Sequence, residues 1–141
     1  PIIERIKHPK AKIQTGTLLS KNKGVTACID SSDGLAISLW ELAEQSSCKI
    51  VIDYPPLAQE ILPYCEEYDI SWQKCVFEGG EEFELVFTVK KDDFELLQSL
   101  LLNQNMNIIP IGTVQKGKGV YFESKPILRE GWDAGLGDWT S

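Results

Sequence analysis

Two hydrophobic periods alternate along the chain. Residues 25–29 read as a short strand, and across 34–45 the residues Leu35, Leu39, Leu42 and Ala43 share one face at helical spacing. Ser46-Ser47 ends that helix, and 49–53 reads as a second strand bounded by Tyr54-Pro55-Pro56. Residues 57–65 are helix-like, with Pro63 expected to end or kink the helix because it has no N–H to donate. Ser71-Trp72-Gln73 reads as a loop, and 83–89 as a third strand. Lys91-Asp92-Asp93 opens another helix, with Phe94, Leu97 and Leu101 on its apolar face and Asp92 near its N-terminus. Residues 108–114 and 120–122 read as strands joined by a turn over 115–119, a hairpin near the C-terminus.

Strands alternating with helices, plus a late hairpin, predict an α+β fold: a mixed sheet with helices packed on one face, rather than a doubly wound parallel sheet. Residues 1–24 form a basic, weakly patterned leading segment, with Lys7, Lys10, Lys12, Lys21 and Lys23 and about one turn of helix. Residues 25–141 form the domain proper. The chain starts at Pro1 without an initiator Met, so it reads as a domain cut from a longer protein.

Composition narrows the function. With 43% hydrophobic and 25% charged residues over 141 positions, the chain can bury a core of its own. No apolar run approaches a membrane span. A net charge of −7 argues against a nucleic-acid surface, which needs clustered Lys and Arg. Cys28, Cys48, Cys65 and Cys75 contain no C-x-x-C spacing, and His8 is the single histidine, so a zinc site is not encoded. Cys28 and Cys48 read as small buried side chains, and a reducing cytoplasm is the simplest compartment.

The densest chemistry lies in Cys28-Ile29-Asp30-Ser31-Ser32-Asp33-Gly34-Leu35, at a strand-to-helix turn. Helix N-termini present unpaired N–H groups and positive dipole, which suit a phosphate, while two carboxylates suit a divalent cation. The plainer alternative is that Ser31, Ser32 or Asp33 only caps the helix and Gly34 only eases the turn. A second cluster, Gly79-Gly80-Glu81-Glu82-Phe83-Glu84-Leu85, opens the third strand. Alternation sends Glu82 and Glu84 to solvent if Phe83 and Leu85 pack inward, leaving Glu81 at the glycine turn free to reach a site. By itself this cluster also reads as a turn with surface acids. No G-x-G-x-x-G or G-x-x-x-x-G-K-[ST] is present.

Together the two clusters resemble the C-terminal half of the thiamine-monophosphate kinase family, known by D-I-S-D-G-L at a strand-to-helix turn and G-G-E-D-Y-E-L opening a later strand. Here they read D-S-S-D-G-L over 30–35 and G-G-E-E-F-E-L over 79–85, followed by Ile111-Gly112-Thr113-Val114 and Gly131-Trp132-Asp133. The resemblance implies the fold shared with aminoimidazole ribonucleotide synthetase and selenophosphate synthetase. It also implies an ATP-dependent kinase that makes thiamine diphosphate from thiamine monophosphate. By position, Asp30 and Asp33 match magnesium (Mg2+) ligands, Ser32 an ATP contact, and Glu81 and Trp132 contacts to the thiamine substrate; no catalytic base is implied. The family implies an N-terminal domain that carries most nucleotide contacts and dimerises, so the isolated chain is expected to be inactive.

Three positions depart from the family pattern: Ser31 for Ile, Glu82 for Asp and Phe83 for Tyr. None removes a carboxylate. After Gly131-Trp132-Asp133 the family usually continues His-Phe, where this chain has Ala134-Gly135. The alternatives are another ATP-using enzyme of the same fold, or a non-catalytic binding or dimerisation module.

Overall fold

Seven consecutive residues, Val25–Ser31, form strand β1 and run straight into the 30–35 turn. The computed structural model describes residues 11–59, 61–80, 83–133 and 138–139. β1 pairs antiparallel with β3 (Glu84–Val89), with Ile29 opposite Val86, Asp30 opposite Leu85 and Ser31 opposite Glu84. Helix α2 (Leu35–Gln45) follows the turn and buries Leu35, Ala36, Leu39, Leu42 and Ala43, as the spacing predicts. Its partners are Ile50 and Ile52 of β2 (Lys49–Ile52), Val120 of β5 (Gly119–Phe122), and Phe77 of α4 (Trp72–Glu78).

Strand β2 is one of the two inner members of a four-stranded mixed sheet, in the order β4 (Gly112–Gln115), β2, β5, β6 (Lys125–Pro126). It is antiparallel to β4 and parallel to β5, with Ile50 and Ile52 buried against α2 on one face. The α+β class, with helices on one face of a mixed sheet, therefore holds. The predicted hairpin does not. β4 and β5 are not paired with each other, because Lys49 of β2 lies between Gln115 and Gly119. The hairpin forms one strand later, β5 to β6, through Glu123 and Ser124, both at positive φ.

A second core lies on the other face of β3. Leu19 of α1 (Ile13–Lys21) packs with Leu97 and Leu101 of α5 (Phe94–Leu102) and with Ile108, over Leu85, Phe87 and Val89. The leading segment thus holds a nine-residue helix rather than one turn, and Leu19 at 1% exposure explains why. Ile108 serves this core, while Ile111 serves the first and accepts the N–H groups of Asp53 and Tyr54, so the strand expected from 108 begins only at Gly112.

Two helical expectations need correction. Pro63 sits in the first turn of α3 (Ile61–Tyr68), where its missing N–H is one the helix would leave unpaired anyway. Ser71-Trp72-Gln73, expected as a loop, instead open α4 (Trp72–Glu78), with Ser71 in extended conformation at the N-cap position and no side-chain cap hydrogen bond. Cys28 is also corrected. It is exposed, because β1 turns Ala27 and Ile29 inward and Thr26, Cys28 and Asp30 outward. Among the described residues no helix is long and apolar enough to cross a membrane.

Candidate functional site

The β1–β3 ladder brings the two sequence clusters together. The N–H of Phe83 donates to the Ser31 carbonyl at 3.0 Å, so the strand that follows Gly79-Gly80 starts beside the 30–35 turn. Gly34 stands at φ 109, and a Cβ there would lie 3.0 Å from the carbonyl oxygen of Glu78. Positive φ and this close approach both demand glycine, and they seat the turn on the C-terminal end of α4.

No side chain caps α2. Gly34 occupies the N-cap position, and no side-chain hydrogen bond is made there. The capping explanation for Ser31, Ser32 and Asp33 therefore fails. Ser31 is buried, Ser32 is half-buried, and Asp30 and Asp33 are exposed. Among the described residues neither carboxylate lies within ion-pair distance of a Lys or Arg. Among the described residues the turn thus presents two acids without a basic partner beside the N-terminus of α2.

Ser38 was missed from sequence. Buried at 3% exposure on the apolar face of α2, its hydroxyl donates to the carbonyls of Asp30 and Gly34, each at 3.2 Å. The readable signal was a lone polar residue inside a stripe of Leu and Ala.

A C-terminal strap completes the arrangement. Trp40 Nε1 donates to the Ile127 carbonyl at 2.9 Å, and Arg129 pairs with Glu41 and with Glu44, the latter at 2.9 Å. Gly131 then lies so close that a Cβ would overlap the Asp33 carbonyl oxygen and approach Ile37 Cγ1 to 2.6 Å. The strap therefore follows α2 back to its N-terminus and delivers the chain to β7 (Trp132–Asp133), which pairs with β8 (Asp138–Trp139). The side chain of Trp132 lies outside the described residues, as do Glu81 and Glu82. Glu84 is exposed and paired with Lys12 at 2.9 Å, as strand alternation predicts for it.

Glu78, at the end of α4 beside Gly34, has its carboxyl pushed above the usual range. Partial burial is the main cause; Lys74, at 3.8 Å, pulls it down and Glu130 pushes it up. The Cys28 thiol, exposed but partly desolvated by its strand neighbours, is raised as well, by that desolvation first and then by the Asp30 carboxylate on the same strand face.

The antiparallel pair β1 and β3 carrying the 30–35 turn, together with a four-stranded mixed sheet on which α2 packs, defines an α+β domain class. The chain belongs to the family of AIR synthase related proteins, C-terminal domain, whose pattern matches residues 6–125. Within that family the likeness to thiamine-monophosphate kinases read from the motifs holds. The thiamine-monophosphate kinase of Pyrococcus horikoshii is 37% identical over 140 residues, spanning 94% of this chain and 40% of that protein. That of Nitrosopumilus maritimus is 34% identical, spanning 92% and 42%. A solved structure of AaThiL complexed with AMPPCP and TMP superposes with a TM-score of 0.71 at 31% identity, covering 89% of this chain and 38% of that one. The chain spans about 40% of the length of these relatives.

Proposed function

We propose that this chain is the C-terminal domain of an ATP-dependent kinase that converts thiamine monophosphate into thiamine diphosphate in the cytoplasm. The observation that carries the reading is the Phe83 N–H to Ser31 carbonyl bond, which joins both motif clusters at one turn. The similarity to a protein seen with AMPPCP, an ATP analogue, and TMP supports the choice of substrates.

Asp30 and Asp33 are the residues that would hold Mg2+. They are two exposed hard-oxygen donors, and among the described residues no group of three candidate ligands converges, at this turn or anywhere else. Magnesium commonly takes one or two carboxylates and completes its shell with water and phosphate oxygens, so the pair fits. When bound, such an ion would supply charge neutralisation to the phosphate oxygens during transfer. Ser32 contacts ATP, while Glu81 and Trp132 contact the thiamine substrate. The attacking substrate phosphate is already an anion, so the chain need supply no general base.

In such a kinase an N-terminal domain carries most nucleotide contacts and drives homodimerisation; this chain spans only about 40% of its relatives' length, so on this reading the 141 residues alone are inactive. The test uses the longer protein that contains this chain. Asp30→Asn and Asp33→Asn should each cut thiamine diphosphate formation by about a hundredfold or more while leaving the unfolding temperature unchanged. Near-normal rates in both variants across a range of magnesium concentrations would mean that the turn is structural and holds no catalytic cation.

A further inference from the structure

Helices α3 and α4 pack against each other across a three-residue connection, 69–71, and each carries a cysteine toward the other. The Cys65 thiol donates to the Cys75 sulfur with the two Sγ atoms 3.5 Å apart. Cys65 is 5% exposed and sealed from solvent, whereas Cys75 is half-buried and reachable. Neither residue belongs to the candidate phosphoryl-transfer site.

We propose that Cys65 and Cys75 form a reversible intrachain disulfide that pins α4 behind the 30–35 turn. The sulfurs already touch, and closing to the bonded distance of about 2.0 Å needs only a small shift of two short helices. The consequence reaches the turn because the Phe77 and Glu78 carbonyls, just after Cys75, lie against Gly34. A bridge that holds α4 also holds the surface on which the turn rests.

The chemistry balances with a hydroperoxide as oxidant. Cys75, as thiolate, attacks one peroxide oxygen; the O–O bond breaks, the sulfur becomes a sulfenic acid, and the departing oxygen takes up a proton. The Cys65 sulfur then attacks the Cys75 sulfur, loses its own proton, and expels the hydroxyl as water. With hydrogen peroxide, two thiols lose two electrons and two protons, one S–S bond forms, and two water molecules result. Burial first, then the interaction with the neighbouring Cys65 sulfur and the Glu78 carboxylate, push Cys75 up to about 11, so little thiolate exists at neutral pH. The pair therefore stays reduced under mild conditions and closes faster as pH rises.

The experiment treats the intact chain with graded hydrogen peroxide at pH 7 and pH 9, alkylates remaining thiols in acid, and maps peptides without reduction by mass spectrometry. The expected result is a Cys65–Cys75 linked peptide, two hydrogens lighter than its parts, formed at least tenfold faster at pH 9 and reversed by dithiothreitol. Cys75→Ser should abolish it. If Cys28 is oxidised or cross-links molecules while Cys65 and Cys75 remain alkylatable, or if none reacts, the proposal is overturned. Amide exchange across 31–35 should slow several-fold in the bridged form, and an unchanged rate there would refute the pinning of the turn. The mapping uses the unaltered chain, so it decides the matter even where a variant fails to fold.

Discussion

The buried hydroxyl of Ser38 is hydrogen-bonded to the backbone carbonyl of Asp30 at 3.2 Å, across the turn that separates them. The same hydroxyl meets the Gly34 carbonyl at 3.2 Å, so one side chain ties the end of β1 to the first turn of α2. Whatever the Asp30 and Asp33 carboxylates hold, their spacing is set by this tie and by the seat of Gly34 on α4. Ser38 is a positioning residue: it reaches the site through backbone, not through a ligand.

Ser38→Ala should therefore destabilise the chain by roughly 1–3 kcal/mol, because it strips a donor from the part-buried Asp30 carbonyl, leaves the Gly34 carbonyl only the Ser38 N–H, and does not fill the gap. Denaturant unfolding measures this. In the longer protein the variant should also raise the magnesium concentration needed for half-maximal turnover, an effect that a merely structural loss would not produce. A normal magnesium response would leave Ser38 a fold residue only.

The strap makes a second prediction. Gly131→Ala puts a methyl group into the Asp33 carbonyl and against Ile37, neither of which can retreat without moving α2. It should cost more than 1 kcal/mol and lower turnover. Arg129→Ala, which removes the exposed pairs to Glu41 and Glu44, should change stability by no more than about 1 kcal/mol. Equal effects of the two variants would mean that the strap acts through charge rather than contact.

How far these features were legible from sequence follows from their physics. Leu35, Leu39, Leu42 and Ala43 were readable because one helix face buries all four. The outward side of β1 was readable too: if Asp30 faces solvent, strand alternation makes Cys28 do the same, and reading Cys28 as buried ignored that parity. α1 and α4 were lost because each fully buries only one residue, Leu19 and Phe77, leaving no stripe to detect. The insertion of β2 between β4 and β5 is a pairing of distant segments and leaves no local mark. The two motif clusters were legible as a candidate site because each carried more acids and glycines than capping or turning requires. Their meeting at Phe83 and Ser31 needed the coordinates.

A third prediction separates substrate from nucleotide. In the longer protein, Glu81→Gln and Trp132→Ala should each raise KM for thiamine monophosphate about tenfold or more and leave KM for ATP near its starting value. The physical reason is that an anion and an aromatic face suit the cationic thiazolium ring. Steady-state kinetics with each substrate varied in turn gives the answer. Equal changes in both KM values would remove these residues from the substrate side of the site.

The last prediction concerns Glu78, whose carboxyl is raised by partial burial and by Glu130, against the pull of Lys74. A carboxyl raised in the folded state favours folding when protonated. Its contribution is fully present below the ordinary carboxylate range and is lost as pH climbs through the raised value. At neutral pH, ionised Glu78 is therefore a cost to the fold. Glu78→Gln should make the chain more stable at pH 7.5, with the advantage shrinking toward zero near pH 4. Loss of the pair with Lys74 works against the gain, but at 3.8 Å and with the lysine half-exposed that pair is weak. Urea unfolding of both proteins at the two pH values measures the difference. A gap that does not change with pH would show that the substitution acts through packing and that the charge on Glu78 carries no cost.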